Sequence, residues 1–178
     1  GEIGVWCSNL NVWKTIAKTG VSAYVFEDDA YVTDHFRKHR ESILYAVPAS
    51  ADFFSFSVPE DQRNDFYYRR TVLADGSWTN YSSELHRKTS SPHYVDEWIS
   101  TAYQGYGFPA MYYTPKGAKN ILKLARESGI TEPVDVQIFA WALAGKLKGY
   151  TMAPWAPEFA YHLNAKTQTR TGEYYDAV

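Results

Sequence analysis

Two kinds of apolar spacing alternate along this chain, and that alternation restricts the possible folds more than any other feature of the sequence. Ile3, Trp6, Leu10, Trp13 and Ala17 recur at three- and four-residue steps, the stripe of an amphipathic helix. Gly20 is placed to end it. A short run, Ala23-Tyr24-Val25-Phe26, follows and is bounded by Glu27-Asp28-Asp29, the pattern of a buried strand that delivers carboxylates at its carboxyl end. Helical spacing returns after Asp34, with Phe36, Ile43, Leu44 and Val47 facing inward. Residues 52–57 (Asp-Phe-Phe-Ser-Phe-Ser) read as a second strand, stopped by Pro59. Residues 109–113 form a third, and Thr114-Pro115 then supply an N-cap and a proline at the first helical position. That helix runs through Ala118, Ile121, Leu122 and Ala125 to Gly129. Pro133-Val134-Asp135 opens another, with Ile138, Trp141 and Ala142 inward and Gly145 as the stop, and residues 148–153 form a last strand. Strands that alternate with helices predict an α/β chain.

Periodicity fades from Glu60 to Gly107, where Tyr, Arg, Ser and Asp accumulate. Loops are expected there, with an irregular hairpin around Asp75-Gly76, and a patternless stretch of that length is typical of a binding lid. Arg63, Arg69, Arg70, Arg87 and Lys88 lie in the same stretch and suit either phosphate binding or solvated loop charge. At 178 residues the chain has the length of one domain, able to bury about 70% of its unfolded surface. A hydrophobic share of 45% against 21% charged supports a packed core. The net charge of −2 gives no broad positive field for nucleic acid or an anionic membrane. Cys7 is the single cysteine, so no intrachain disulfide can form, as suits a reducing compartment, and a helical thiol is read as a small buried hydrophobe. No apolar run is long enough to cross a bilayer and no leader pattern opens the chain. A cytoplasmic location is the expectation, with the inner membrane face as a place for peripheral association. The opening without Met is that of a chain beginning inside a longer protein.

The acids after the first strand are the first candidates for chemistry, because open α/β sheets bind ligands at the carboxyl ends of their strands. Glu27, Asp28 and Asp29 repel one another unless a cation or a set of donors neutralises them. Carboxylate oxygens prefer hard ions, so Mn²⁺ or Mg²⁺ is the expected partner, bridging the phosphates of a nucleotide diphosphate. A solvated turn capping the next helix is the plainer alternative. Asp135 suits a general base at a cleft or an N-cap. His162 follows the rigid, aromatic residues 154–161, which could return it to the acids as a metal ligand. His35, His39, His86 and His93 are read as ordinary polar residues without metal-ligand spacing. The chain has no GxGxxG, GxxxxGK[ST], HExxH, CxxC or GxSxG motif, so dinucleotide binding, P-loop chemistry, zinc proteolysis and serine hydrolysis lack support.

Three pieces taken together resemble glycosyltransferase family 25, which includes lipooligosaccharide and collagen galactosyltransferases. They are the opening Gly1-Glu2-Ile3-Gly4 with Ser8 and Trp13, the strand ending Glu27-Asp28-Asp29, and Lys116-Gly117-Ala118-Lys119 followed by Pro133-Val134-Asp135-Val136-Gln137. The resemblance covers residues 1 to about 40 and about 108 to 140. It implies a GT-A-like (Rossmann-like) mixed sheet flanked by helices in one domain spanning 1–178, with 165–178 as a polar tail. It also implies transfer of a hexose, galactose or glucose, from a UDP-sugar to a hydroxyl of a glycan, glycolipid or protein, with a divalent ion and with inversion. Asp28 and Asp29 would then contact metal and pyrophosphate beside Glu27, and Asp135 with Gln137 would belong to the donor or acceptor site. Asp135 is the residue assigned as base. Two departures stand out: Asn9 occupies the place of the family's usual His, and the family's first strand, ahead of Gly1, is missing. That second departure keeps open a module that binds glycan or nucleotide sugar without catalysis. An interaction domain with an aromatic surface, one that self-associates, is a further alternative.

Overall fold

Helix α1 (Glu2–Thr19) forms where the first stripe predicts it, and Gly20 ends it with φ of 71°, donating its N–H to Ile16. Trp6, Trp13 and Ile16 are buried, while Ile3 is 82% exposed and Cys7 is exposed as well. Both residues were expected inside. The first turn carries Ile3 clear of the core, and Cys7 follows Trp6 onto the next, outward-facing position of the helix. The remaining elements in chain order are β1 (Ala23–Phe26), β2 (Ala30–Val32), α2 (Asp34–Ala46), β3 (Phe53–Ser55), β4 (Arg70–Val72) and β5 (Trp78–Asn80). They continue with β6 (Tyr94–Asp96), β7 (Ile99–Thr101), β8 (Ala110–Tyr113), α3 (Pro115–Ser128), α4 (Val134–Leu143), β9 (Gly149–Met152) and β10 (Ala160–His162). The computed structural model describes residues 2–57, 70–72, 78–80, 94–96, 98–102, 107–152 and 159–162.

Six strands form one mixed sheet in the order β1-β8-β3-β9-β7-β6. β3 and β9 are parallel, and the other neighbours are antiparallel. β1, β3 and β9 therefore point the same way, and their carboxyl ends share an edge with the start of β8. Side-chain alternation sorts the sheet into two apolar faces. On one, Phe53, Met111 and Tyr113 meet Trp6, Trp13, Ile16, Ala118, Ile121, Ile138 and Trp141 of α1, α3 and α4. On the other, Phe54, Phe56, Ile99 and Met152 meet Phe36 and Ile43 of α2. The chain is thus α/β, a mixed sheet with helices on both faces. β1 was expected to be buried, yet its first three residues are only half-buried and Phe26 is exposed. It stands at the end of the strand order, so β8 covers just one of its flanks.

Caps and glycines match the local sequence. Thr114 accepts the N–H of Gly117, and Pro115 opens α3. Thr33 caps α2 through the N–H of Phe36. Gly117 has a second role: a Cβ there would sit 1.8 Å from the Asp52 carbonyl oxygen, so only glycine lets α3 approach β3 this closely. Asp52, to which the sequence assigned no role, is buried at that junction. Its carboxylate accepts the Lys148 backbone N–H at 2.7 Å and the Asn120 amide at 2.8 Å.

Two further sheets have two strands each, β10-β2 and β4-β5, and the second lies in the stretch that lacks periodicity. β4 and β5 pair antiparallel, Arg70 opposite Asn80 and Val72 opposite Trp78, on either side of the expected hairpin turn. Asp75 and Gly76 themselves, the charges at 63, 69, 87 and 88, and the tail 165–178 lie outside the described residues.

Candidate functional site at the carboxyl edge of the sheet

The acidic triplet lies where the strand pattern predicts it, just past β1. Ala30 donates its N–H to the Glu27 carbonyl at 3.1 Å, closing a four-residue turn whose two central residues are Asp28 and Asp29. Asp28 is exposed, and Glu27 and Asp29 are half-buried. The turn is anchored to the sheet by the Glu27 N–H, which donates to Pro109 at 3.2 Å just ahead of β8.

Asp135 reaches the same stretch from the other side. Its Oδ2 accepts the N–H of Gly107 at 2.6 Å and its Oδ1 the N–H of Val136 at 2.9 Å. Gly107 has φ of 77°, a left-handed conformation that glycine adopts without strain. Residues 107–109 thus connect the two acidic groups: Asp135 holds one end, Glu27 the other. Asp135 is not the helix cap, since Pro133 takes that position without a side-chain bond and Asp135 lies in the first helical turn. There its negative charge is favoured by the helix dipole. Tyr113 lies within electrostatic reach of both acids. Burial drives its hydroxyl well above the ordinary tyrosine range, and the charges of Glu27 and Asp135 both push it the same way. The Trp13 indole opposes the shift, although neither Trp13 Nε1 nor the Tyr113 hydroxyl achieves hydrogen-bond geometry.

His162 is the third sequence candidate. β10 runs antiparallel to β2, with its backbone at His162 opposite Ala30, the residue after Asp29. The backbone of β10 thus lies beside the acid turn. Among the described residues no three of His, Cys, Asp and Glu gather to hold a metal. The donor set still suits Mn²⁺ or Mg²⁺, ions that bind through one or two carboxylates and complete their shell with water and substrate phosphate oxygens. Asp28 and Asp29, adjacent on an accessible turn, are the residues that would hold such an ion.

Gln137 sits differently from the other candidates. It is 4% exposed; its Oε1 accepts the N–H groups of Thr131 and Glu132 at 3.0 and 3.2 Å, and its Nε2 donates to Gly129 at 2.7 Å. Three backbone partners pin the α3–α4 connection. Trp6 of α1 braces the same connection, its Nε1 donating to Glu132 at 2.8 Å. Asn9 spends its amide on its own helix, bonded to the Val5 carbonyl at 3.1 Å. His35 and His39, read from the sequence as lacking metal-ligand spacing, do fall one turn apart on α2 with ring centroids at 6.2 Å, but no third ligand joins them among the described residues. His86 and His93 lie outside those residues.

The acid turn closes β1 and Asp135 bonds the segment that leads into the neighbouring strand β8, the edge of the sheet at which α/β enzymes carry their sites. The model of glycosyltransferase family 25, described as LPS biosynthesis protein, matches residues 1–138. The chain belongs to this family, and with it to the glycosyltransferases. No curated protein sequence matches the chain. No helix among the described residues is long and apolar enough to cross a membrane.

Proposed function

We propose that the chain transfers a hexose, galactose or glucose, from a UDP-sugar to an acceptor hydroxyl, with a divalent cation and inversion, on a GT-A-like sheet. The observation that supports this most is the joint attachment of the acid turn and Asp135 to residues 107–109, at one edge of the sheet. Asp28 and Asp29 would hold a Mn²⁺ or Mg²⁺ ion, which would supply positive charge against the diphosphate of the leaving nucleotide. Glu27 anchors the turn through its backbone and adds its carboxylate to the donor side, and His162, whose backbone lies opposite Ala30 in β10, is the further proposed metal ligand. Asp135 takes the proton of the acceptor hydroxyl as that oxygen attacks the anomeric carbon from the face opposite the diphosphate. Its Oδ2 is fixed by Gly107, which orients the carboxylate, and each oxygen keeps a further lone pair for the incoming proton. Gln137 serves this site by holding the turn ahead of α4, and so the position of Asp135. The family's description supports a lipopolysaccharide-type glycan as the acceptor, among the glycan, glycolipid and protein hydroxyls open to such an enzyme. A donor screen across UDP-, GDP- and CMP-sugars with Mn²⁺ present tests the reaction. Hydrolysis or transfer confined to UDP-hexoses, and lost in Asp28→Asn and Asp29→Asn, is the expected result. Near-normal transfer in both variants would remove the metal from the mechanism.

A further inference from the structure

The net charge of −2 conceals an uneven distribution between the two helical layers. Lys116, Lys119, Lys123 and Arg126 follow one another at steps of three, four and three residues along α3, which sets them in one stripe about 15 Å long. All four are exposed. Glu127 is the single acid of that helix, 3.9 Å from Lys123, with both side chains more than half exposed. Lys116 leans toward Asp52 at 3.9 Å and stays 58% exposed. α1 packs against α3 on the same face of the sheet and has no acidic residue from Ile3 to Thr19. Its Lys14 and Lys18, one turn apart, are exposed as well. Lys14, Lys18, Lys119 and Arg126 form no ion pair among the described residues. α2, on the opposite face, is built differently: Arg37 pairs with Asp34 at 2.7 Å and Arg40 with Glu41 at 3.3 Å. Neighbouring lysines without acids repel one another, and an anionic partner relieves that repulsion.

Chain direction orients this face. α1 enters β1 at the edge of the sheet where α3 leaves β8, since Ala23 lies opposite Tyr113. The two helices therefore run antiparallel, and the start of α1 meets the end of α3 at the carboxyl edge, where Trp6 bonds Glu132. Ile3, 82% exposed, and Ile130, 48% exposed, flank that bond. Ile3 lies about three turns before Lys14, so the two look outward along the same line. Asp135 opens α4 just beyond Glu132. Basic side chains along the face, with apolar ones at the end next to the candidate site, are the composition of a surface that lies on a bilayer. Five of its six basic residues are lysines, point charges that suit mobile headgroups, whereas arginine forks suit fixed phosphates and bases. The exposed positions of α1 and α3 carry no aromatic side chain on which a nucleic-acid base could stack.

We propose that the outer face of α1 and α3 seats the protein on a bilayer containing anionic phospholipid, with the lysines on the headgroups and Ile3 and Ile130 in the interface, so that the candidate site lies beside the membrane. Presentation of a membrane-borne acceptor there rests on the glycosyltransferase function proposed above; the docking does not. Flotation with vesicles of phosphatidylcholine, with and without phosphatidylglycerol, tests it on the wild type and three variants. These are Lys119→Gln/Lys123→Gln/Arg126→Gln on α3, the control Arg37→Gln/Lys38→Gln/Arg40→Gln on α2 with the same change of net charge, and Ile3→Ser/Ile130→Ser. The wild type should bind only the vesicles that contain phosphatidylglycerol, and less as salt is added. The α3 variant should bind about a hundredfold more weakly, at about fivefold per charge, and the α2 control less than about fivefold more weakly. The isoleucine variant should lose several-fold, and all three should melt at the wild-type temperature. Failure of the wild type to bind phosphatidylglycerol vesicles, equal losses in the α3 and α2 variants, or unchanged binding by the isoleucine variant overturns the proposal. Tighter binding of mixed-sequence duplex DNA than of the vesicles also overturns it. Calorimetry of UDP-galactose with Mn²⁺ separates the two readings: vesicle binding without donor binding counts against the glycosyltransferase function and leaves the docking face standing.

Discussion

Replacing Gly117 by alanine sets two effects of opposite sign against each other, and the structure decides between them. In a helix interior alanine is favoured over glycine by roughly 0.5–1 kcal/mol. The new Cβ, however, would stand 1.8 Å from the Asp52 carbonyl oxygen, 2.4 Å from its carbon and 2.7 Å from Asp52 Cα. Carbon and oxygen in close contact keep about 3.3 Å apart, so α3 must withdraw by about 1.5 Å. The bonds that cross this junction run from Thr114 N to Asp52 O at 3.1 Å, from Thr114 Oγ1 to Ala51 O at 3.0 Å and from Asn120 to the Asp52 carboxylate at 2.8 Å. Neutral bonds contribute about 1 kcal/mol each and a bond to a charged group about 1.5–3 kcal/mol, so loosening them outweighs the helix gain by about 2–4 kcal/mol. At this chain length that lowers the melting midpoint by between about 5 and 15 °C. Gly4 in α1 is the internal control, since nothing lies within 4 Å of its added Cβ, and Gly4→Ala should leave the midpoint level or raised. Circular dichroism melts of the two variants make the comparison. A Gly117→Ala protein as stable as Gly4→Ala would refute the close-approach argument.

Three further outcomes follow from single residues. Gln137→Ala removes a buried amide bonded to Gly129, Thr131 and Glu132 and should cost about 2–4 kcal/mol in urea unfolding; a variant as stable as wild type would mean the α3–α4 connection is held otherwise. Tyr24 has its pKa pushed up to about 12, chiefly by burial and then by its bond to Glu41 at 3.1 Å. The folded state thus keeps a proton that the unfolded chain releases near pH 10, and the associated stability is whole below about pH 10 and lost as pH rises toward 12. Absorbance titration should show Glu41→Gln lowering that pKa, and an unmoved titration would contradict the assigned bond. Asp135→Asn keeps an oxygen for Gly107 but no base, so kcat should fall about 10²–10⁴-fold with little change in melting; a loss of folding instead would assign Asp135 to the scaffold alone.

Local chemistry was readable wherever one residue decided one geometry. Gly20 and Gly129 end their helices, Thr114-Pro115 begins α3, and four apolar residues ahead of three acids mark β1 and its turn. What could not be read depends on pairing across long separations. Nothing in Ala110–Tyr113 says that this strand inserts antiparallel between β1 and β3, and nothing near His162 says that it will lie opposite Ala30. Three-residue strands such as β6 and β7 are too short to show a period. Asp52 drew no assignment because its partners, Asn120 and Lys148, lie 68 and 96 residues away. Gln137 was assigned to the site by resemblance, whereas its three bonds are to backbone groups five to eight residues earlier. The nearest sequence signal was its place on the α4 stripe, one residue before buried Ile138.

Titration calorimetry of UDP-galactose into the protein, with and without Mn²⁺, probes the acid turn directly. Donor should bind the wild type only when Mn²⁺ is present, and the Asp28→Asn/Asp29→Asn double variant should lose that binding at least tenfold while melting at the wild-type temperature. Equal donor affinity with and without the metal, or unimpaired Mn²⁺-dependent binding by the double variant, would contradict a cation held at Asp28 and Asp29.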